Sequence, residues 1–113
     1  MNSVQCVALN FVQIRSIFLL RESGRIVGGL IGHSSWEWLY IEVLSVAAHV
    51  RGRGRQLMEK AEEIARARDC VGVWVDTYTF QSPDFYEHLG YSVFGMLPNY
   101  PRVEQRIFLM KML

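Results

Sequence analysis

The apolar positions of this chain change period several times, and each change predicts a boundary. Residues 1–15 give a weak strand-like alternation through Val4, Cys6 and Ala8, then Val12 and Ile14. Ser16–Glu22 is a short apolar run that predicts a strand. Ser23-Gly24-Arg25 predicts a turn, because glycine reaches the backbone angles a tight hairpin needs. Arg25–His33 predicts the partner strand, and the Gly28-Gly29 pair within it predicts a bulge or a close backbone approach. Trp36–Val46 carries the clearest alternation. Trp38, Tyr40, Glu42 and Leu44 fall on one face, and Leu39, Ile41, Val43 and Ser45 on the other. The period then turns helical from Gln56 to Asp69, with Leu57, Met58, Ala61, Ile64 and Ala65 on one stripe and Glu62 and Arg66 placed for an i,i+4 pair. Val71–Thr79 returns to strand chemistry. Pro83 opens a short helix to about Leu89, and Gly90 ends it as a left-handed cap. Tyr91–Leu97 and Gln105–Leu113 predict the last two strands.

The predicted order is three strands, a glycine loop, a helix, a strand, a short helix and two strands. Early and late hairpins imply antiparallel pairing, and the long helix implies one parallel crossover. The fold class is therefore a mixed sheet, α/β or α+β. A chain of 113 residues predicts a single domain over residues 1–113.

Composition narrows the function classes. Half of the residues are hydrophobic, and 12 basic residues stand against 11 acidic ones. Near-neutrality argues against nucleic acid and against an anionic membrane as partner. No segment is long and apolar enough to cross a bilayer, and the N-terminus lacks the order of a secretory signal. Cys6 and Cys70 lie far apart without metal-ligand spacing, so no metal site is predicted. They read as reduced thiols of a cytoplasmic protein, with one disulfide as the alternative. The mean hydropathy is positive, +0.10, which predicts that a partner chain covers some apolar surface.

Candidate chemistry centres on Arg51-Gly52-Arg53-Gly54-Arg55, between a strand and a helix. Glycine backbones approach phosphates closely, and free N–H groups at a helix start point at an anion. The spacing is neither a dinucleotide fingerprint nor a P-loop. A solvated basic turn is the competing reading of the loop alone.

Context adds a second motif. Leu44-Ser45-Val46 ahead of Arg51-Gly52-Arg53-Gly54, and Phe85-Tyr86-Glu87-His88-Leu89-Gly90-Tyr91 downstream, resemble the two signatures of the GNAT acetyltransferases. The Gly-Gly strand, Trp36 and Trp38, Asp76-Thr77 and Phe94-Gly95 also match a bacterial subgroup, so the resemblance covers roughly residues 16–113. It implies a GNAT-like acyl-CoA N-acyltransferase fold. Pantetheine would lie between the strands 39–46 and 71–79, pairing with main chain near Leu44 and Val46. N–H groups of the loop Arg51, Gly52, Arg53, Gly54 and Arg55 would hold the pyrophosphate of acetyl-CoA. Tyr86 would protonate the departing thiolate, with a packed aromatic as the alternative role. A phenol suits that task because its pKa lies near 10. Glu42 is the candidate general base. It is predicted to face with Leu44 in an apolar setting beside Trp38 and Tyr40, which would raise its pKa. A structural salt bridge is the equal alternative. His49 and His88 read as surface residues, Asp76 as a brace at a strand end, and Trp36 and Trp38 as core or pocket wall.

The chain departs from the family pattern twice. Counted from the strand, the loop is two residues short and lacks a last glycine. Counted from the helix, His49 stands where Arg or Gln is usual. Two missing residues would rotate the helix by about 200° unless the loop absorbs them. Residues 1–15 are also too few for the strand-helix-helix layer that precedes the hairpin in relatives, so the expected fold lacks most of that layer. A second subunit covering the gap, in a homodimer, is the expected remedy. The leading functional reading is direct attack of an amine, in a small molecule or a peptide, on the acetyl-CoA thioester. The alternative is a non-catalytic CoA-binding or assembly protein. Binding of RNA or DNA through the arginines is disfavoured by the charge balance.

Overall fold

The computed structural model describes residues 14–81 and 83–113, apart from the side chain of Arg51. The weak strand predicted over 1–15 lies outside these residues except at its end, as does Cys6. Six strands follow one another as β1 (Ile14–Glu22), β2 (Arg25–Ser35), β3 (Trp38–Val46), β4 (Gly72–Tyr78), β5 (Ser92–Pro98) and β6 (Gln105–Met112). Helix α1 (Gly54–Ala67) joins β3 to β4, and α2 (Pro83–His88) joins β4 to β5. The strands form one sheet in the order β1-β2-β3-β4-β6-β5. Among the described residues only β3 and β4 pair in parallel, which gives the predicted mixed sheet with a single parallel crossover.

Local chemistry explains the connections. Ser23 and Gly24, both at positive φ, make the two-residue turn between β1 and β2, which matches the twist of a hairpin. Trp36 and Glu37 do the same between β2 and β3, with φ of 52° and 69°. Trp36 is thus a turn residue rather than the first residue of the strand. The apolar stripe of α1 packs Leu57, Met58, Ala61 and Ala65 against Leu30, Leu39, Ile41, Val73, Val75 and Leu109 of the sheet. A 3-10 segment over Ala48–Arg53, interrupted by non-helical backbone at Val50, leads into α1, and α1 presents its predicted stripe to the sheet. Glu62, expected in an i,i+4 pair with Arg66, is also buried, at 6% exposed. Arg66 approaches it at 4.0 Å, but its main partners are Tyr91 and Lys111.

The alternation predicted for β3 breaks at one residue. Ile31 of β2 is opposite Val43, while Gly32 is opposite Ile41, so Glu42 is the extra residue of a bulge. Leu39 and Ile41 before it face α1. After it Leu44 and Val46 pack against the same core, and Val43 is exposed. Glu42 and Leu44 therefore do not share a face as predicted, because a bulge resets the two-residue period.

The bulge yields a test. Deleting Glu42 would remove the extra residue and leave Leu39, Ile41, Leu44 and Val46 in plain alternation on the core face. Its urea midpoint is therefore expected close to that of Glu42→Ala, which keeps the bulge. A deletion far less stable than Glu42→Ala would refute this account of the strand.

Candidate active site

Parallel β3 and β4 pair only from Trp38 opposite Gly72 to Ile41 opposite Val75. Beyond that point β3 continues to Val46 along β2, and β4 continues to Tyr78 along β6. The sheet therefore opens into a V between β1-β2-β3 and β4-β6-β5. On the face away from α1, Tyr40 donates from its hydroxyl to Asp76 Oδ1 at 2.5 Å, and Arg106 Nε donates to Asp76 Oδ2 at 2.7 Å. Asp76 thus braces the apex by tying β3, β4 and β6 together, as its predicted role at a strand end required. Tyr40 also stacks on Trp74, with ring centroids 4.0 Å apart.

The V opens on the α1 side into a groove of about 490 Å³ lined by Leu44, Val46, Gly54, Thr77, Gln81, Phe85 and Tyr86. Three predicted site positions on one side of it, Leu44, Val46 and Gly54, thus meet Tyr86 on the other. Thr77 is 3% exposed and donates to Gln81 Oε1 at 2.9 Å. Gln81 went unpredicted because it lies in an irregular turn, and Thr77 because alternation alone gives a strand residue no role. Phe85 was visible only as the first residue of its motif. It sits against Gly54, where an added Cβ would come within 3.4 Å of its Cζ.

The rest of the loop behaves otherwise. Gly52 and Gly54 do not form an open glycine loop. The chain around them is helical, with Gly54 at φ −59° and ψ −31°. Arg53 approaches Glu22 at 3.8 Å and donates to Gln56 Oε1 at 2.9 Å. Arg55 pairs with Glu59 at 3.0 Å. Neither lines the groove. Glu42 is exposed rather than set among apolar rings. Arg15 donates to its carboxylate at 3.2 Å, and His33 Nδ1 lies at 3.9 Å. The bulge places it at the apex, one residue past the last β3–β4 pair. His49 and His88 are exposed, as predicted. On the open face Trp36 and Trp38 do form a pocket wall, together with Trp74, Phe94, Phe108 and Met110, around an apolar groove of about 570 Å³.

Burial sets the electrostatics. It pushes the Tyr86 phenol up to about 12, with the negative charge of Asp76 adding to the shift. Tyr40 rises to about 12 through burial and its bond to Asp76. Tyr91 rises further, through burial and its bond to Glu62. Burial also raises the Cys70 thiol, which favours its protonated form at neutral pH. No helix among the described residues is long and apolar enough to cross a membrane.

Comparison with known proteins gives the class of this split sheet, with a helix start at one wall and a tyrosine at the other, as that of the acetyltransferases. The chain belongs to the acetyltransferase (GNAT) family, whose sequence profile matches residues 8–91. It is 39% identical over 95 residues to the blasticidin-S acetyltransferase of Streptomyces morookaense, spanning 80% of this chain and 68% of that protein. An acetyltransferase of Agrobacterium fabrum is 36% identical over 84 residues, spanning 73% of this chain and 61% of the relative. Among solved structures, an acetyltransferase from Bacillus cereus superposes with a TM-score of 0.86 at 28% identity, covering 99% of this chain and 87% of that one. An aminoglycoside 6'-N-acetyltransferase complexed with coenzyme A shares the fold, with a TM-score of 0.77 at 19% identity over 87% of this chain and 72% of that one.

The raised phenols fix an alkaline limit to stability. All three stay protonated in the folded protein at pH values where the unfolded chain ionises, near 10. Their contribution is complete below about pH 10 and is lost as pH rises through the folded values, because unfolding then releases protons. Each phenol costs about 1.4 kcal/mol of stability per pH unit in that window. Urea midpoints are expected to fall between about pH 10 and 12, and less steeply in Tyr86→Phe. An unchanged slope in that variant would show that Tyr86 ionises freely.

Proposed function

We propose that the protein transfers the acetyl group of acetyl-CoA to the amine of a small molecule. The observation that carries this reading is the V-shaped groove, in which Leu44, Val46 and Gly54 face Tyr86 across the split. The inner edge of β3 beyond Ile41 has main-chain groups without a partner on β4, and such groups suit the amides of a pantetheine arm. The apolar side chains of Leu44, Val46 and Phe85 suit its carbon chain. The first turn of α1, reached through the 3-10 turn, offers backbone N–H groups to the pyrophosphate. Bound acetyl-CoA supplies an activated acyl group. The protein's own part is to hold the amine and thioester together, to place β3 N–H groups near the developing oxyanion, and to move protons. Tyr86, neutral well above physiological pH, donates to the departing sulfur. Glu42, at the apex, accepts the proton of the amine.

An amine of small-molecule origin is favoured over a peptide by the relative named for blasticidin S, which shares most of this chain's length. The open-face groove of tryptophans and phenylalanines is the apolar wall such an acceptor would meet. We also propose a homodimer. β5 is an edge strand of sequence SVFGMLP, without a charged residue, and Val93, Phe94, Met96 and Leu97 are exposed. Edges of monomers are normally guarded by charge, and β5 lacks that guard.

Saturating acetyl-CoA at one hundred times its Kd is expected to stabilise the protein by about 2.7 kcal/mol in a thermal melt, and an amine acceptor should then release free thiol. Stabilisation without thiol release from any amine would leave a CoA-binding protein and sink the enzymatic reading. Tyr86→Phe should lower kcat by about 10–100-fold with little change in the KM for acetyl-CoA. Glu42→Gln should lower turnover by a similar factor, while its melting temperature stays within the small change expected of an exposed ion pair. Lost stability with full turnover would make Glu42 a salt-bridge residue only. Light scattering should give twice the chain mass for the wild type and a single chain mass for Met96→Lys. A monomeric wild type at micromolar concentration would end the dimer proposal.

A further inference from the structure

A buried charged cluster lies outside the groove and serves no step of the proposed reaction. Glu62, in the middle of α1, is 6% exposed. Tyr91 donates from its hydroxyl to Glu62 Oε2 at 2.8 Å, and Lys111 Nζ donates to Oε1 at 3.0 Å. The same ammonium donates to the carbonyl of Leu89 at 2.9 Å, just past the end of α2. The N–H groups of Leu89 and Tyr91 both donate to the carbonyl of Tyr86, each at 3.0 Å. The Tyr91 ring meets that of Tyr86 edge-on, with centroids 6.2 Å apart. Gly90 makes this possible, because its φ of +96° closes the helix in a conformation that favours glycine.

From this juxtaposition we infer that Glu62, Lys111 and Tyr91 form a clamp that positions Tyr86. The inference rests on the proposed role of Tyr86 as acid. α2 has six residues, too few for a helix to hold itself, so its placement comes from the packing of Phe85 and Tyr86 on the core and from contacts at its two ends. Phe85 against Gly54 fixes the start, and Lys111 on the Leu89 carbonyl fixes the finish. A buried ion pair contributes little net stability over apolar residues of the same shape. What this one adds is a single arrangement. One carboxylate of α1 sets the end of β6, the start of β5 and the turn that ends the helix carrying Tyr86. These are positioning residues, because none of them lines the groove.

Protein labelled with 3-fluorotyrosine reports the position of Tyr86 directly, its fluorine resonance being assigned by its loss in Tyr86→Phe. Lys111→Met keeps the stem and removes the ammonium. It should broaden or split the Tyr86 resonance and lower kcat about tenfold, because small misplacements of reacting groups are costly. The KM for acetyl-CoA and the melting shift it causes should stay within about threefold and one-third of wild type, respectively. Lys111→Arg should recover a single resonance and most of the lost turnover. Arg66→Met, which alters the same carboxylate's exposed neighbour, should change neither readout. A sharp, unshifted resonance in Lys111→Met with kcat within about twofold of wild type would overturn the clamp. Should Lys111→Met fail to fold, Tyr91→Phe carries the same test, since it keeps the ion pair and removes one bond to Glu62. An unmoved resonance there would equally refute the inference. A wild type that releases no thiol would end the catalytic reading of Tyr86, and the fluorine spectra would still decide whether the clamp positions the ring.

Discussion

The structure depends on the failure of two parallel strands to stay paired. β3 and β4 hold together from Trp38 to Ile41 and then diverge. Each remains anchored on its outer side, β3 to β2 and β4 to β6. A split in a sheet leaves main-chain donors and acceptors without strand partners, and such groups are costly unless something satisfies them. Two devices confine the split to one end. The bulge at Glu42 adds twist to β3 where pairing stops. The Tyr40–Asp76–Arg106 bonds then stitch the apex on the far face. The groove is thus the open end of a sheet that is closed firmly at the other.

The same divergence separates the two kinds of chemistry around the site. The α1 side of the V is mostly apolar and holds Tyr86 beside Leu44 and Val46. The far face holds the polar cluster of Tyr40, Asp76 and Arg106, with Glu42, Arg15 and His33 nearby. Arg53 and Arg55, which look in sequence like a basic lining for phosphate, are each engaged by a carboxylate on the surface. What the groove has from that motif is Gly54 and the helix start, so recognition of an anion there would rest on backbone rather than on these two guanidinium groups.

Much of this was legible in the sequence, and the parts that were not have physical causes. The sequence of elements along the chain, the parallel crossover and the helix stripe follow from local periodicity, which is why Leu57, Met58, Ala61 and Ala65 were placed correctly. Tyr86 was legible because its motif is short and continuous, from Phe85 to Gly90. The bulge at Glu42 was not, because it occurs in an unbroken run of strand formers with no glycine to mark it. One extra residue then reassigned the faces of Leu44 and Val46. The i,i+4 approach of Arg66 to Glu62 was legible, but the burial of Glu62 was not, because its other partners, Tyr91 and Lys111, are 29 and 49 residues away. The 3-10 turn was hidden by the two glycines, which read as an open loop although the chain keeps both in helical turns.

The relation between the two family signatures is the last consequence. In sequence they look independent, one a glycine-arginine loop and the other a Phe-Tyr helix more than thirty residues later. In space Gly54 of the first lies beside Phe85 of the second, since a methyl group at position 54 would already be in van der Waals contact with that ring. Gly54 therefore lets the start of α2 pack closely on the start of α1. At the other end Gly90, at φ +96°, closes α2 where Lys111 reaches the Leu89 carbonyl. The start of α2 is thus held by packing and its finish by a hydrogen bond. This makes the two signatures a single packing unit, whose product is the position of one phenol.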